Sequence, residues 1–464
     1  MLGDTKLNFI KKFIIRYIYR PFLIRKYTKW YIKTRNWSKN DWRDWLSEEF
    51  EKCKKTKWTR RKYSDLMKYT MEDMVEYPVN EEYEDYPENY PAVITSVSTG
   101  TIKKKIVKWT RADLIKNFIA FGRTIWWLKG ESRFRNMLLM GGAGVISGEG
   151  SKYAIDFISS KGIAKEFESI IQNFDIIKKK EPFDLVFTSL PYLIPFIKKI
   201  NENIFYNPSF FLITGDRVSP YIRHLVIDLG KRLDSTIYPM DFYGCAEGGI
   251  LGFEIPTKLQ QVDIYVPETH LAFIRKENGE LVNILDAKKG DVGEYIITTL
   301  QKYVIPNLRL HDVVEVVEEN TPLGLPAIRI LGRVAHREEI ETKSLGLIRG
   351  ISGLNLRVKG IVFNDYYLTN FIENVFKMKH LILLEEKEDY VIMRVYCDKH
   401  IKLEDFLEKL AEDKDTGYLI NDYKNDVLRI EVIPDPEVIE EFEKKIFLTR
   451  GGQATVPRLI LLQE

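Results

Sequence analysis

The stretch ITSVSTGTIKKKIVKWT, residues 94–110, sets a short apolar run against a knot of Ser, Thr and one Gly, then lysines, then a second apolar run. Where a strand ends in such a knot, successive backbone N–H groups can point into one concavity, and hydroxyls and a lysine add donors. Polyphosphate needs this arrangement because its many oxygens carry high charge. The same residues also suit a hairpin turn with a solvated basic edge. The pattern G-x-x-x-x-G-K-[ST] is absent, so this is not a Walker loop. Taken alone, the stretch leaves both readings open.

Its surroundings decide the fold. From residue 92, strand-like and helix-like segments alternate: AVITSVS, the helix RADLIKNFIAFGRTIWWL, NMLLMG, the helix KEFESIIQNFDIIKKK, FDLVFTS, the helix PYLIPFIKKINEN, SFFLITG, the helix SPYIRHLVIDLGKRL and TIYPMDFYG. Alternation of this kind predicts an α/β protein with a largely parallel sheet. After about residue 262 the pattern turns strand-rich (THLAFIR, GEYIITTL, VVEVVE, AIRIL), and beyond 335 a smaller α+β unit follows. Upstream, residues 5–35 interleave aromatic and basic residues as an amphipathic helix broken near Pro21. A second helix follows, capped at Ser38 or Asn40, and 77–91 reads as an extended segment. The expected domains are a basic helical arm over 1–75, a large α/β domain with a β-rich subdomain over 76–334, and a small α+β domain over 335–464.

Composition narrows the function classes. A chain of 464 residues with 45% hydrophobic residues is globular and long enough for two or three cores. Only Cys53, Cys245 and Cys397 occur, far apart, which gives no disulfide framework or zinc site and points to a reducing, cytoplasmic setting. No apolar run reaches the roughly 18–20 residues that span a bilayer. The net charge of +3 hides 19 Lys/Arg against 6 Asp/Glu in residues 1–62, so the remainder carries −10. Three partners suit that arm. One is an anionic membrane surface, making the protein peripheral to it. Another is the acidic remainder of this chain or of a partner subunit, a homodimer included. The third is nucleic acid, the weakest because no binding motif appears.

Three further clusters carry chemistry. DFYGCAEGGILG (241–252) offers an aromatic face beside open backbone at Tyr243-Gly244, suited to a purine, and Glu247 as a hard oxygen ligand for a divalent cation. A Gly-rich turn with a surface glutamate explains the same residues. LRLHDVVEVVE (308–318) puts Asp312 at the mouth of an apolar strand, where a carboxylate can accept both ribose hydroxyls or serve as a cap. RILGRVAHREE (329–339) puts Arg333 at a polarity break, as a sugar or phosphate contact or as a surface-loop residue. His224 reads as a helix residue rather than a base, and Cys245 as a small buried residue.

The order of these pieces resembles the adenylate-forming superfamily, in its phenylacetate–CoA ligase branch, over roughly residues 90–340. VSTGTIKKKIVKWT is similar to that family's phosphate loop Ser-Ser-Gly-Thr-Thr-Gly-Lys-Pro, FLITGDRVSPYIRHLVIDLGKRL to its adenine-side strand and helix, and DFYGCAEGG to its Tyr-Gly-x-x-Glu motif. GDVGEYIITTL, RLHDVVEVVE and ILGRVAH resemble its later motifs. The resemblance implies that Ser98, Thr99, Gly100, Thr101 and Lys104 cradle the ATP phosphates. It implies that Gly215, Asp216, Tyr243 and Gly244 sandwich adenine with Asp241 at its amino edge, that Glu247 binds Mg²⁺, and that Asp312 and Arg333 hold the ribose. The implied activity is AMP-forming activation of a small carboxylic acid, then transfer to CoA after a mobile C-terminal lid swings about a hinge near 334–337. The alternatives are transfer to an amine, or a non-catalytic nucleotide-binding scaffold. The acid would bind near 122–147 and 238–252, beside Trp126, Trp127 and MGGAGVISGEG.

Four departures stand out. Lys103 occupies the place of the loop's second Gly, and His311 that of the Gly before Asp312. About 20 residues separate Arg333 from the next family-like stretch, LRVKGIVFND, so the hinge region looks expanded. Gln453 stands where the family carries its catalytic lysine; it donates hydrogen bonds without charge, and the alternatives are Lys444 or Lys445 as substitute or a different register.

Overall fold

The computed structural model describes residues 20–81, 86–87, 89–98, 105–131, 133–140, 159–165, 182–215, 217–256, 259–449 and 456–463. The chain divides into two compact units. The first comprises Met1–Gly215, Leu229–Leu310 and Val314–Arg329; the second comprises Asp216–Asp228, His311–Val313 and Ile330–Glu464.

The first unit opens with helices α1 (Arg20–Thr34), α2 (Lys39–Lys54) and α3 (Lys57–Lys62). Ser38 caps α2: its hydroxyl accepts the Asp41 N–H while the Asp41 carboxylate accepts the Ser38 N–H, so two orphan donors of the first turn are satisfied. Four indoles, Trp30, Trp37, Trp42 and Trp45, pack edge-on or tilted with centroids 4.7–6.5 Å apart. Strands β1 (Ile94–Ser98) and β2 (Lys105–Trp109) form an antiparallel hairpin in the register Ile94↔Trp109 to Ser98↔Lys105. Helix α4 (Arg111–Lys129) follows at once. Thr110 and Asp113 form its capping box and Gly130, at φ +69°, ends it.

The central sheet holds β3 (Phe134–Met140), β4 (Ser159–Lys165), β5 (Phe183–Ser189), β6 (Phe205–Thr214) and β7 (Ile237–Asp241), in the order β4-β3-β5-β6-β7 with every pair parallel. All seven residues of β5 are buried, as expected for a strand covered on both faces. Helices α5 (Leu190–Lys199) and α6 (Pro220–Arg232) fall where the sequence places them, and His224 lies within α6. Strand β4 is new: SSKGIAK ends on Lys165, the first residue of the expected helix KEFESIIQNFDIIKKK, so that residue is strand, and the rest of the expected helix lies outside the described set.

Downstream, β8 (Gly244–Cys245) and β9 (Gly249–Ile250) make a two-residue-a-side hairpin. A second sheet then runs in the order β10-β11-β16-β15-β14-β12-β13. Its strands are β10 (Gly252–Ile255), β11 (Leu259–Tyr265), β12 (His270–Arg275), β13 (Leu281–Asn283), β14 (Val292–Thr299), β15 (Leu308–Glu318) and β16 (Ala327–Arg333). The extended segment before β1 joins this unit: the Asn80 N–H donates to the Asn307 carbonyl and the Asn80 carbonyl accepts from Arg309.

The second unit is built on a six-stranded sheet of order β17-β18-β24-β21-β22-β23. Its strands are β17 (His336–Thr342), β18 (Gly346–Ser352), β21 (His380–Glu386), β22 (Val391–Cys397), β23 (Leu428–Pro434) and β24 (Leu459–Leu462), with a separate hairpin of β19 (Asn355–Val358) and β20 (Ile361–Asn364). Helices α7 (Asp365–Phe376), α8 (Leu403–Glu412) and α9 (Leu419–Lys424) cover one apolar cluster, and α10 (Pro436–Thr449) covers another. The apparent expansion after Arg333 is the hairpin β17–β18, which pairs in full from His336↔Ser352 to Thr342↔Gly346 and is extended by β24. The inserted residues thus widen the sheet of this unit.

Candidate active site

In the first unit the site is assembled at the end of β7. Asp241, the last residue of β7, is buried, and its N–H donates to the buried Glu254 carboxylate at 2.8 Å. The Phe242 N–H returns to the Ile213 carbonyl of β6, so the chain leaves the parallel sheet in a fixed direction. The Tyr243 carbonyl accepts both the Leu251 and Gly252 N–H groups, at 3.0 and 3.1 Å, and thereby closes residues 244–250 into one loop.

That loop is the β8–β9 hairpin, with Ala246, Glu247 and Gly248 at its turn. The Gly248 N–H reaches the Cys245 sulfur at 3.1 Å, so Cys245 is a half-buried turn acceptor rather than the fully buried residue expected. Three side chains clamp the turn from outside. The Trp109 indole of β2 donates to the Ala246 carbonyl at 3.0 Å, Asn117 of α4 accepts the Ile250 N–H at 3.2 Å, and the buried Gln301 amide donates to the Glu247 carbonyl at 2.7 Å. The Tyr243 ring lies 5.8 Å from that of Tyr295. Burial, with Glu247 and Cys245 adding negative potential, pushes the Tyr86 phenol well above its ordinary value and keeps it protonated.

Glycine is required at the turn. Gly249 sits at φ +75°, and a Cβ there would lie 2.6 Å from the Asn117 oxygen and 2.8 Å from the Trp109 ring. Gly249→Ala is therefore expected to lower stability by about 2–3 kcal/mol, the sum of left-handed strain and overpacking. Gly279→Ala is the control, because φ is +87° there with nothing within 4 Å of the new methyl. Urea titration of both variants should show Gly279→Ala losing about 1 kcal/mol. Equal losses would refute the clash.

Gly215, which follows β6, also has a positive φ of +89°. Asp216 lies outside the described residues, as do Thr99, Gly100, Thr101, Lys103, Lys104 and Gln453; Ser98 is described only as the last residue of β1. What is fixed is where the phosphate-loop candidate returns: β2 leads straight to Trp109, whose indole holds the Glu247 turn.

The second unit holds Asp312 and Arg333 together. The Arg333 Nε donates to Asp312 Oδ1 at 3.0 Å, both side chains are half-buried, and the Val334 N–H donates to the His311 carbonyl at 2.9 Å. His311, in the place of the expected glycine, adopts φ +65°, so the backbone keeps the left-handed geometry without its usual residue. His311→Gly should leave stability unchanged or raise it by up to about 1 kcal/mol, while β-branched His311→Val should lower it by about 1–2 kcal/mol, read as Tm shifts.

Among the described residues no group of three or more His, Cys, Asp and Glu side chains converges on one point. A cation at Glu247 would draw its remaining ligands from phosphate oxygens and water. That donor set suits Mg²⁺, which binds through one or two carboxylates plus a nucleotide's phosphates.

Sequence reasoning missed Trp109, Asn117, Gln301 and Tyr86. Trp109 lay inside the opening stretch; the others carry no local signal.

The chain is similar in structure to 2-hydroxyisobutyryl-CoA ligase in the postadenylation state in complex with 2-HIB-AMP. That likeness has a TM-score of 0.58 and 13% identity, over 86% of this chain and 91% of that one. It is similar to the AtGH3.15 acyl acid amido synthetase in complex with 2,4-DB, with a TM-score of 0.58 and 11% identity over 93% of each chain. The same CoA ligase in its thioesterification state, with 2-HIB-AMP and CoA, gives a TM-score of 0.50 at 12% identity. No protein-family model and no curated protein matches the sequence. The chain has the fold of these ligase and amido synthetase structures, as the order of motifs implied.

Proposed function

We propose that this protein activates a carboxylic acid with ATP through an acyl-adenylate and passes the acyl group to CoA, releasing AMP. The observation that carries the reading is the clamped Glu247 turn, tied through Trp109 to the strand that leaves the Ser/Thr/Gly/Lys loop, within an adenylate-forming fold. The roles given to the site residues are part of the same proposal.

Residues 98–104 cradle the β- and γ-phosphates, and the Tyr243-Gly244 segment faces adenine with Asp241 at its edge. Asp312 and Arg333, already paired, present one acceptor and one donor to the ribose. Glu247 would hold Mg²⁺, which when bound would supply positive charge against the phosphates. The acid's carboxylate oxygen attacks the α-phosphorus in line; the bond to the β-phosphate bridging oxygen breaks and pyrophosphate leaves. No protein nucleophile is needed, so positioning and charge neutralisation supply the rate. In the second half, the acceptor's sulfur attacks the acyl carbon, the acyl–phosphate bond breaks, and the thiol proton passes to solvent. Gln453, a neutral donor at the family's lysine position, offers no charge to the developing negative oxygen, so adenylation is slower than a lysine there would make it.

Calorimetry with ATP and Mg²⁺, then pyrophosphate exchange against a panel of aryl and acyl carboxylates, tests the reading. ATP binding without exchange for any acid would leave a nucleotide-binding scaffold instead. Amide transfer is the second reading, supported by the equal TM-scores to a CoA ligase and an amido synthetase. Incubating the adenylate with CoA or with amino acids, and identifying the product by mass, separates them.

A further inference from the structure

Helix α1 presents two unlike faces. Its inner face is fastened to α4. Tyr27 covers Gly122 so closely that a Cβ there would lie 2.2 Å from the ring, Tyr31 stacks on Trp126 at 5.0 Å, and the Trp126 indole donates to Thr28. Its outer face carries Phe22, Arg25, Lys26, Lys29, Ile32 and Lys33, all exposed, at the i, i+3, i+4, i+7 spacing of one helix face. No acidic residue occurs anywhere between Asp4 and Asp41.

If the acidic remainder of the chain held this arm, its cations would end on carboxylates. Among the described residues, Arg25, Lys26, Lys29 and Lys33 form no ion pair; Lys26 instead lies over the Phe22 ring at 4.8 Å, and Lys33 over Trp30 and Trp37. Further along the arm Arg43 does pair with Asp286, but α1 itself is anchored by aromatic packing and leaves these four cations outward. Phe22 and Ile32, 50% and 55% exposed, stand near either end of that cationic row, about 15 Å apart along the axis. Beside the row, Arg25, Thr28 and Lys29 share an open groove of about 690 Å³ with Arg133, a further cation on the same flank.

We infer that the outer face of α1 docks on an anionic membrane surface, with the helix lying flat, Phe22 and Ile32 entering the headgroup–acyl boundary and the cations meeting lipid phosphates. A soluble polyanion would match the charge but gives two exposed apolar side chains in a cationic row nothing to bury against. A lipid interface matches both. No helix among the described residues is long and apolar enough to cross a membrane, so the attachment is peripheral.

The test uses the full chain and vesicles of phosphatidylcholine with or without phosphatidylserine, read by co-sedimentation. The chain should pellet with phosphatidylserine vesicles, much less with pure phosphatidylcholine, and be released by high salt. Replacing Arg25, Lys26, Lys29 and Lys33 together by Gln should lower partitioning by roughly several hundredfold, at about fivefold per cation. The pair Phe22→Gln and Ile32→Gln should lower it by roughly tenfold. These positions are exposed and Gln favours helices, so unchanged circular dichroism and ATP affinity would show that the fold persists. Three results overturn the inference: no partitioning of the native chain, a quadruple variant that partitions as the native chain does, or binding to heparin without binding to vesicles.

Discussion

Replacing Arg123 by methionine is expected to destabilise the first unit by about 3–5 kcal/mol, because it strands a carboxylate in the core. Arg123 on α4 and Glu268 just before β12 are 1% and 2% exposed. Their contact is two-pronged, through Nε to Oε1 and Nη2 to Oε2, the latter at 3.0 Å. The Trp30 indole donates to the same Oε1 at 2.9 Å, and the guanidinium lies over the Trp42 ring at 5.1 Å. One buried pair thus joins α1, α2, α4 and the β-rich sheet. The pair itself contributes little net stability, since desolvation offsets attraction. The loss comes from asymmetry: without the guanidinium, Glu268 keeps a single indole donor. Arg123→Met combined with Glu268→Met should therefore be far less destabilised than Arg123→Met alone. Urea titration followed by Trp fluorescence reads this directly, as Trp30 and Trp42 report the site. A single variant within about 1 kcal/mol of the native chain would show that the carboxylate finds another partner.

What the sequence made legible follows from how local each signal is. The cap at Ser38, one of the two positions the sequence offered, the helices after β2, β5 and β6, and the buried strand β5 each announce themselves within ten residues, through capping chemistry or an unbroken apolar run. Strand β4 does not: SSKGIAK has neither alternation nor β-branched enrichment, and it is a strand because β3 pairs with it along its length. The hairpin β17–β18 looked like expanded linker because its polar, alternating residues give no core signal until β24 pairs with it. The motif at 241–252 was legible by order alone. Its supports were not, because Asn117 and Gln301 reach it from 133 and 54 residues away in sequence. The basic arm was visible as a charge imbalance, but only its packing shows which cations remain outward.

Glu247→Gln is expected to lower pyrophosphate exchange by roughly 10²–10³-fold while leaving the fold intact. The two side chains have nearly the same shape, and what holds the turn is backbone: the Glu247 carbonyl accepts from Gln301, and Ala246 and Ile250 are held by Trp109 and Asn117. The substitution thus removes one charge from a clamped position. If that charge holds Mg²⁺ against the ATP phosphates, the loss should appear as a rightward shift of the Mg²⁺ titration and a fall in kcat. ATP affinity measured without Mg²⁺ should hardly move, because the proposed phosphate loop and adenine contacts are untouched. A purely structural role predicts the opposite pattern: unchanged Mg²⁺ dependence with reduced Tm. Gln301→Leu supplies the complementary case. It leaves the carboxylate in place but withdraws the buried donor from the Glu247 carbonyl, so stability should fall by about 1–2 kcal/mol, read as a lower Tm. The Mg²⁺ midpoint should then shift only as far as the turn loosens. Exchange within threefold of the native rate in Glu247→Gln would remove Glu247 from the proposed metal site, leaving the clamped turn as a structural element.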